Sequence, residues 1–353
     1  MKGLILSGGR GTRLRPITFT SAKQLVPIAN KPILFYGIEA LAASGIREIG
    51  VVVGDTHQEI RAAVGDGSRF GVSVTYIQQE APLGLAHAVL VSEEFLGGDA
   101  FCMYLGDNLI RERLDALVDR FRDQRPNSQI LLAKVPDPTQ FGVAELRAGR
   151  VVRLVEKPAH PPSDLALVGV YMFDANVFKA VKAISPSARG ELEITDAIQW
   201  LIDHDYVVRP HVIDGWWKDT GRLEDMLEAN RIILDGLVAR SEGVVEDSQI
   251  LGKVVVEPGA RIARSTVRGP AIIGPGAVIE NAYVGPFTSV GADVVVRGSE
   301  VEHSILLEGC RVTDVGGRIE SSLIGRNALI HRTAAKPRAL TFMLGDRSEV
   351  GLV

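Results

Sequence analysis

From Ile250 onward the chain abandons helical periodicity. Ile250, Val256, Ile262, Val267, Ile272, Val278, Val284 and Val290 recur every five or six residues, with turns at Glu257-Pro258-Gly259-Ala260 and Gly274-Pro275-Gly276-Ala277. That spacing suits neither a 3.6-residue helix nor one long alternating strand. It is instead a short internal repeat, punctuated by Gly and Pro at its turns. The spacing loosens after Val296; Val312, Ile324 and Ile330 continue it, and 340–346 reads as a terminal strand.

The earlier part reads differently. Apolar runs at 4–6, 48–53, 72–78 and 100–105 alternate with helical patterns at 32–44, 58–64 and 85–95. Asp55 or Thr56 can cap the second of these helices. Such alternation predicts a mostly parallel sheet covered by helices on both faces, with ligands at the carboxyl ends of its strands. Past Ser128 come a strand at 130–135, a hairpin of 143–147 with 151–156 turned at Ala148-Gly149, and a strand at 167–173. Helices follow at 193–203 and from Leu223 to near Gly236, and the polar stretch through Ser248 reads as a linker. The expected fold class is α/β, a Rossmann-like domain over 1–240 followed by a repeat domain over 241–353.

Composition sets limits on function. A chain of 353 residues with 46% hydrophobic and 23% charged residues can bury two cores. No basic stripe recurs beyond the first segment, which argues against nucleic acid as a partner. Cys102 and Cys310 stand far apart in no metal or redox motif and read as apolar fillers in a reducing cytoplasm. With no signal-peptide pattern and no membrane-length apolar run, the expected location is cytoplasmic, away from membranes.

The stretch from Leu4 to Lys23, LILSGGRGTRLRPITFTSAK, carries the chemistry. A short apolar run breaks at Ser7 into three glycines, which allow a sharp turn and close approach of backbone N–H groups to a ligand. Between Met1 and Ile38 there are six Lys or Arg and no Asp or Glu, in a chain of net charge −4. That excess suits a dense anion such as a nucleoside triphosphate. The loop is neither a Rossmann fingerprint nor a Walker loop: Leu14 stands where the third glycine should fall, and no G-K-[ST] occurs.

Gly8-Gly9-Arg10-Gly11-Thr12-Arg13-Leu14-Arg15-Pro16 with Ser21-Ala22-Lys23-Gln24-Leu25-Val26-Pro27 resembles the signature of sugar-1-phosphate nucleotidylyltransferases. Among them the chain is most similar to the glucose-1-phosphate thymidylyltransferases of the longer form, and its C-terminal repeat resembles the hexapeptide repeat of left-handed parallel β-helices, which implies one stacked column of inward-pointing aliphatic residues. The resemblance implies attack by a sugar-1-phosphate oxygen on the α-phosphorus of dTTP, with Mg²⁺ as cofactor and dTTP and glucose-1-phosphate as partners. It implies that Arg13 steadies the α-phosphate and leaving pyrophosphate and that Lys23 bridges the two phosphates. Gly8, Gly9, Gly11 and Thr12 would cradle the nucleotide. Asp107 and Asp219, in Leu105-Gly106-Asp107-Asn108 and Trp217-Lys218-Asp219-Thr220-Gly221, would hold the metal; a turn-forming Asp and a helix N-cap are the bland readings of the same residues. In the loop Gln78-Gln79-Glu80-Ala81-Pro82-Leu83-Gly84, Gln79 would read the base through its donor and acceptor, beside Pro82 and Gly84. The sugar end would be Gly142, Glu156, Lys157, Leu167, Tyr171 and Thr195. No histidine is assigned a catalytic role, because a phosphate oxygen is already ionised near neutral pH.

Three other functions fit the same motifs: uridylyl transfer, a bifunctional protein whose β-helix also acetylates an amino sugar, and a non-catalytic nucleotide-sensing subunit. Retention of Arg13, Lys23, Asp107 and Asp219 favours an enzyme. The repeat region offers only His303 and His331, neither in a recognisable acetyltransferase motif. The β-helix is therefore expected to serve assembly and stability in a homo-oligomer, so that its removal would change assembly more than chemistry.

Overall fold

The computed structural model describes residues 1–9, 11–333, 340, 342 and 344–351. Arg10, and positions 341 and 343 of the expected tail strand, lie outside these residues; the described residues of 340–346 carry no strand. The chain forms two compact units. One comprises Met1–Arg10, Ser21–Leu25 and Ile33–Asp219, the other Gly11–Thr20, Val26–Pro32 and Thr220–Val353.

The first unit is built on a nine-stranded sheet with a parallel centre. Lys2–Leu6 lies between Glu48–Val53 and Phe101–Leu105, and Ser73–Gln78 extends the run beyond Glu48–Val53. Leu165–Phe173 joins Phe101–Leu105 antiparallel and also pairs with Ser128–Lys134 and the hairpin Gly142–Arg147/Arg150–Glu156. The hairpin needs only Ala148 (φ 48°) and Gly149 (φ 73°) to reverse, both in the left-handed region that two-residue turns favour. Parallel neighbours need longer crossovers, and helices supply them.

Successive residues of a strand point to opposite faces, so an apolar run feeds two cores. Leu4 and Leu6 pack with Met103, Ile130 and Leu132 beneath Leu85–Val91, Val177–Ala183 and Ile194–Asp203. Ile5 faces the other way, with Cys102, Tyr104 and Leu131, beneath Ile33–Ala43, His57–Val64 and Leu114–Gln124. The helix expected over 85–95 is two, Leu85–Val91 and Glu93–Leu96. They break at Ser92, whose hydroxyl donates to Ala88 O at 2.7 Å, a back-bond that bends helices. Thr56 precedes His57–Val64 as the expected cap residue, but its side chain makes no capping hydrogen bond. The helices Leu114–Gln124 and Val177–Ala183 are absent from the sequence reading.

The second unit contains a left-handed parallel β-helix of short strands in three parallel sheets. Residues stack coil on coil, as in Val255↔Ile272↔Ser289↔Ile305↔Leu323. Two expectations are corrected here. The supposed linker is already coil, because Arg240–Ser241 and Val244–Glu246 pair with Val254–Val256 and Arg261–Ala263; backbone ladders hold these strands, so their side chains can be polar. The interior is also three-sided rather than a single column, and the register slips by one residue at two places. Ile273 and Ile279 are fully buried in the coil, with Val256, Ile262, Val267, Val284 and Val290. Ile272 instead packs in a separate cluster with Ala29, Leu234 and Val255, and Val278 is half-exposed.

Cys102 and Cys310 are free and buried, and burial pushes both thiols up to about 12, so they stay protonated at neutral pH. No helix among the described residues is long and apolar enough to cross a membrane.

The register makes a direct prediction. Ile279→Ala should cost about 2–5 kcal/mol, as for a buried aliphatic truncation, whereas Val278→Ala should cost under about 1 kcal/mol. Urea unfolding of the two variants checks this, and equal costs would show that the assigned interior is wrong.

Candidate functional site

Three strand ends of the first unit supply the site. Lys2–Leu6 runs into Ser7-Gly8-Gly9, Phe101–Leu105 into Gly106-Asp107, and Asn108–Ile110 then pairs antiparallel with Trp217–Asp219. That register sets Asn108 opposite Asp219, so the two aspartates come together although the sequence separates them widely. Lys23, buried in the short turn Lys23–Leu25, contacts Asp107 Oδ2 and lies 3.7 Å from Asp219 Oδ1. Asn108 Nδ2 donates to Asp107 Oδ1 at 2.9 Å, and Trp217 Nε1 donates to Asn108 Oδ1 at 2.5 Å. The Tyr104 hydroxyl donates to Asn108 O at 3.2 Å, and Phe141 packs edge-on against Trp217. Burial alone would raise the Asp107 carboxyl, but the Lys23 ammonium and the hydrogen bonds from Lys23 and Asn108 outweigh it and hold the group below its usual range. The carboxylate therefore stays ionised at neutral pH.

Two carboxylates converging on one ammonium also form a hard-oxygen donor set. Mg²⁺ is held by one or two carboxylates together with phosphates and water, so the donor number fits. Among the described residues no three His, Cys, Asp or Glu side chains gather as a metal-binding group. Asn108 and Trp217 stand in the quoted motifs without a role; their function is to lock the first aspartate to the strand that carries the second. Ser7 Oγ, just before the signature, and Gln24 Oε1, within its second part, are buried with no hydrogen-bond partner among the described residues.

Gln79 follows the strand Ser73–Gln78 and faces the glycine loop, since a Cβ on Gly8 would lie 3.4 Å from Gln79 Oε1. Its amide nitrogen donates to Gly84 O at 3.2 Å and bonds His87 Nδ1 at 3.0 Å. A primary amide has two N–H groups, so both are engaged within the protein and Oε1 is the acceptor that remains. His87, set aside in the sequence, thus orients the amide. The contact depends on Gly84, whose φ of 104° is closed to other residues and whose Cβ would meet Leu192 O at 2.3 Å. Leu192 N donates to Leu83 O and Ala86 N to Leu192 O, which stitches this loop to the segment 187–193. Pro82 is exposed on the loop.

The expected sugar residues form one cluster, apart from Tyr171, which lies deeper. A Cβ on Gly142 would meet Thr195 Cγ2 at 2.6 Å, Glu156 Oε2 at 3.2 Å and Leu167 Cδ1 at 3.3 Å, so only glycine lets these groups close. Thr195 Oγ1 donates to Glu156 Oε2 at 3.2 Å, Arg189 Nη1 donates to Glu156 Oε1 at 3.3 Å, and Lys157 Nζ is 3.9 Å from Glu156 Oε1. Arg189 also approaches Glu193 Oε1 at 3.7 Å and Glu191 Oε2 at 2.8 Å; it is a member that motif reading quoted without a role. Lys157 is exposed and held in the left-handed region at φ 40°. Tyr171 is buried in the core, where burial and then the charge of Glu156 raise its phenol.

Gly11, Thr12 and Arg13 belong to the second unit. Thr12 and Arg13 are exposed, and the Arg13 guanidinium lies against Gly221, with Nη2 3.2 Å from a Cβ built there.

Comparison with known proteins adds independent findings. Residues 2–236 match the model of the family described as nucleotidyl transferase. The chain is 57% identical over 350 residues to a glucose-1-phosphate thymidylyltransferase of Streptomyces griseus, covering 99% of this chain and 98% of that one. It is 57% identical over 353 residues to one of Streptomyces antibioticus, covering 99% of each. A Bacillus anthracis structure provisionally described as a glucose-1-phosphate thymidylyltransferase superposes with a TM-score of 0.64 at 36% identity, over 68% of this chain and 98% of that one.

The Glu156 cluster makes a prediction about pH. Burial, then neighbouring Glu193, raise the Glu156 carboxyl above its ordinary 4.5 despite Lys157, Arg189 and Thr195. Above the ordinary value the folded state binds more proton than the unfolded one, so this group's contribution to stability falls as pH rises through the shifted value. Glu156→Gln should therefore be at least as stable as the wild type near neutral pH, and the difference should vanish below the ordinary carboxylate range. Melting temperatures across that span test it; a variant clearly less stable at neutral pH would mean that the ion pairs outweigh burial.

Proposed function

Because the chain belongs to the nucleotidyl transferase family, we propose that it transfers a thymidylyl group from dTTP to α-D-glucose-1-phosphate, giving dTDP-glucose and pyrophosphate. End-to-end similarity to thymidylyltransferases supports the substrates. The observation that carries the chemistry is the convergence of Lys23 with Asp107 and Asp219. A phosphate oxygen of the sugar forms a bond to the α-phosphorus, the α–β bridging bond breaks, and its electrons leave with pyrophosphate. Two anions must meet, so the protein's work is charge neutralisation and alignment. Lys23 neutralises the phosphates at the reacting centre and Arg13 the departing pyrophosphate. Asp107 and Asp219 would hold Mg²⁺, which supplies further charge neutralisation. Glu156 and Thr195 bind sugar hydroxyls, and Lys157 the sugar phosphate. In this reading residues 1–240 carry the chemistry and 241–353 the β-helix.

The base is read by Gln79 Oε1, which accepts from thymine N3–H while His87 and Gly84 hold the amide nitrogen. Cytosine offers an acceptor at that position and is refused. Uracil offers the same N–H, leaving as discriminators the missing 2′-hydroxyl, which no identified residue is placed to refuse, and the thymine methyl, worth about 1–3 kcal/mol or roughly 10–200-fold.

Steady-state kcat/KM with glucose-1-phosphate should thus rank dTTP first, UTP second within that span, and CTP, ATP and GTP far behind. A purine nucleotide matching dTTP would sink the base assignment, and a preference for UTP would make the activity uridylyl transfer. Asp107→Asn, Asp219→Asn and Lys23→Ala should each lower turnover by orders of magnitude with the fold retained. Circular dichroism and pyrophosphate release read the two halves of that expectation, and near-normal turnover at all Mg²⁺ concentrations in the aspartate variants would remove them from the metal site.

A further inference from the structure

The β-helix unit includes two short N-terminal pieces, Gly11–Thr20 and Val26–Pro32, that overlap the signature and continue from it, and the contacts that hold them are specific. The hairpin Pro27–Ile28/Lys31–Pro32 turns at Ala29 (φ 47°) and Asn30 (φ 62°). Its tip is bonded to the coil. Ala29 N donates to Asn230 Oδ1 at 2.8 Å, and Asn30 Nδ2 donates to Val290 O at 2.7 Å. Asn230, fully buried on the helix Leu223–Asp235, donates from Nδ2 to Phe287 O at 3.1 Å, and its Oδ1 also accepts from Ser289 Oγ at 3.1 Å. One amide thus ties the hairpin tip and the coil 287–289 together, and Ala29 is sealed beneath by Leu234, Val255 and Ile272.

A second contact is independent of the first. In the loop 11–20, Ile17 Cδ1 lies 3.4 Å from a Cβ built on Gly325 of the β-helix, and Pro16 Cβ lies 3.5 Å from one built on Gly345. The loop and the hairpin flank Lys23 in the chain, and the loop itself carries Arg13.

We infer that the β-helix is a positioning element of the reaction, holding the phosphate-binding signature through Asn230, Asn30 and the Ile17–Gly325 contact. The inference rests on the proposed roles of Arg13 and Lys23 toward phosphates. It goes beyond the expectation of a β-helix that serves assembly and stability. Buried polar groups must keep their partners, so a coil that supplies them dictates where the hairpin tip stands. A misplacement of about 1 Å near reacting groups can cost on the order of 100-fold in rate.

The test uses the full-length chain. Asn30→Gly removes the bond to Val290 O while tolerating the left-handed turn. Gly325→Val, at a position with no positive φ, pushes on Ile17 from the second contact. Both leave every proposed substrate-contacting side chain in place. The expected result in each variant is a KM for the nucleotide, and for pyrophosphate in the reverse reaction, raised about tenfold. The dTTP:UTP preference and the oligomer size should be unchanged, because the residue proposed to read the base, Gln79, lies in neither the loop nor the hairpin. A merely structural defect would reduce the active fraction and so lower kcat with every KM intact. That outcome, or wild-type kinetics in both variants, would overturn the inference. The assay uses whichever nucleotide the wild type turns over, so a failure of the thymidylyl reading changes the substrate and leaves this test standing.

Discussion

The catalytic unit depends on keeping one buried ammonium paired. Lys23 is almost wholly removed from solvent, and an unpaired charge in that position would cost several kcal/mol. Asp107 meets it directly and Asp219 stands 3.7 Å away. The pairing explains much of the surrounding structure. The two-stranded piece linking Asn108–Ile110 to Trp217–Asp219 brings the second carboxylate near. The Trp217–Asn108–Asp107 chain of hydrogen bonds then fixes the first carboxylate's orientation. Such an arrangement holds a cation in a fixed place, which is the pre-organisation that the phosphate role proposed for Lys23 calls for.

The cluster around Glu156 uses charge differently. Around Lys23 attraction outweighs burial and the carboxyl of Asp107 is held low; at Glu156 burial and the neighbouring Glu193 prevail and the carboxyl is raised. A carboxylate kept in a place where its charge is disfavoured contributes little to folding and is available to accept from hydroxyl groups. Sites built for binding commonly give up stability in this way. The closeness of Gly142, Thr195, Leu167 and Glu156 is one that no larger residue at 142 would permit.

The β-helix is governed by a third constraint, the satisfaction of backbone groups coil by coil. Parallel ladders run from Arg240–Ser241 upward, so even strands with exposed polar side chains are held by their main chains. This frees the outer face to carry contacts. Val255 and Ile272 pack with Ala29 and Leu234, and Val290 O and Phe287 O accept from Asn30 and Asn230. A repeat that reads as a self-contained stack therefore also serves as a docking frame for distant pieces of its own chain.

The sequence by itself determined the alternation of strands and helices, the switch to a short repeat, and the family motif from which the phosphate roles are proposed, because periodicity and motif chemistry are local properties. It also placed Ala148-Gly149 at the hairpin turn, where backbone conformation narrows the choice of residue. Tertiary structure decided what local pattern cannot express. Ile272 and Ile273 are equally apolar, and only the coil's register sends one inward. His87 became the partner of Gln79 because Gly84 turns the chain at φ 104°, and Asn108 became a tie because a short ladder sets it beside Trp217. Hydrogen bonds between residues remote in the chain leave no periodic trace, since each needs only one polar group at one position. Folding alone brings the two ends together.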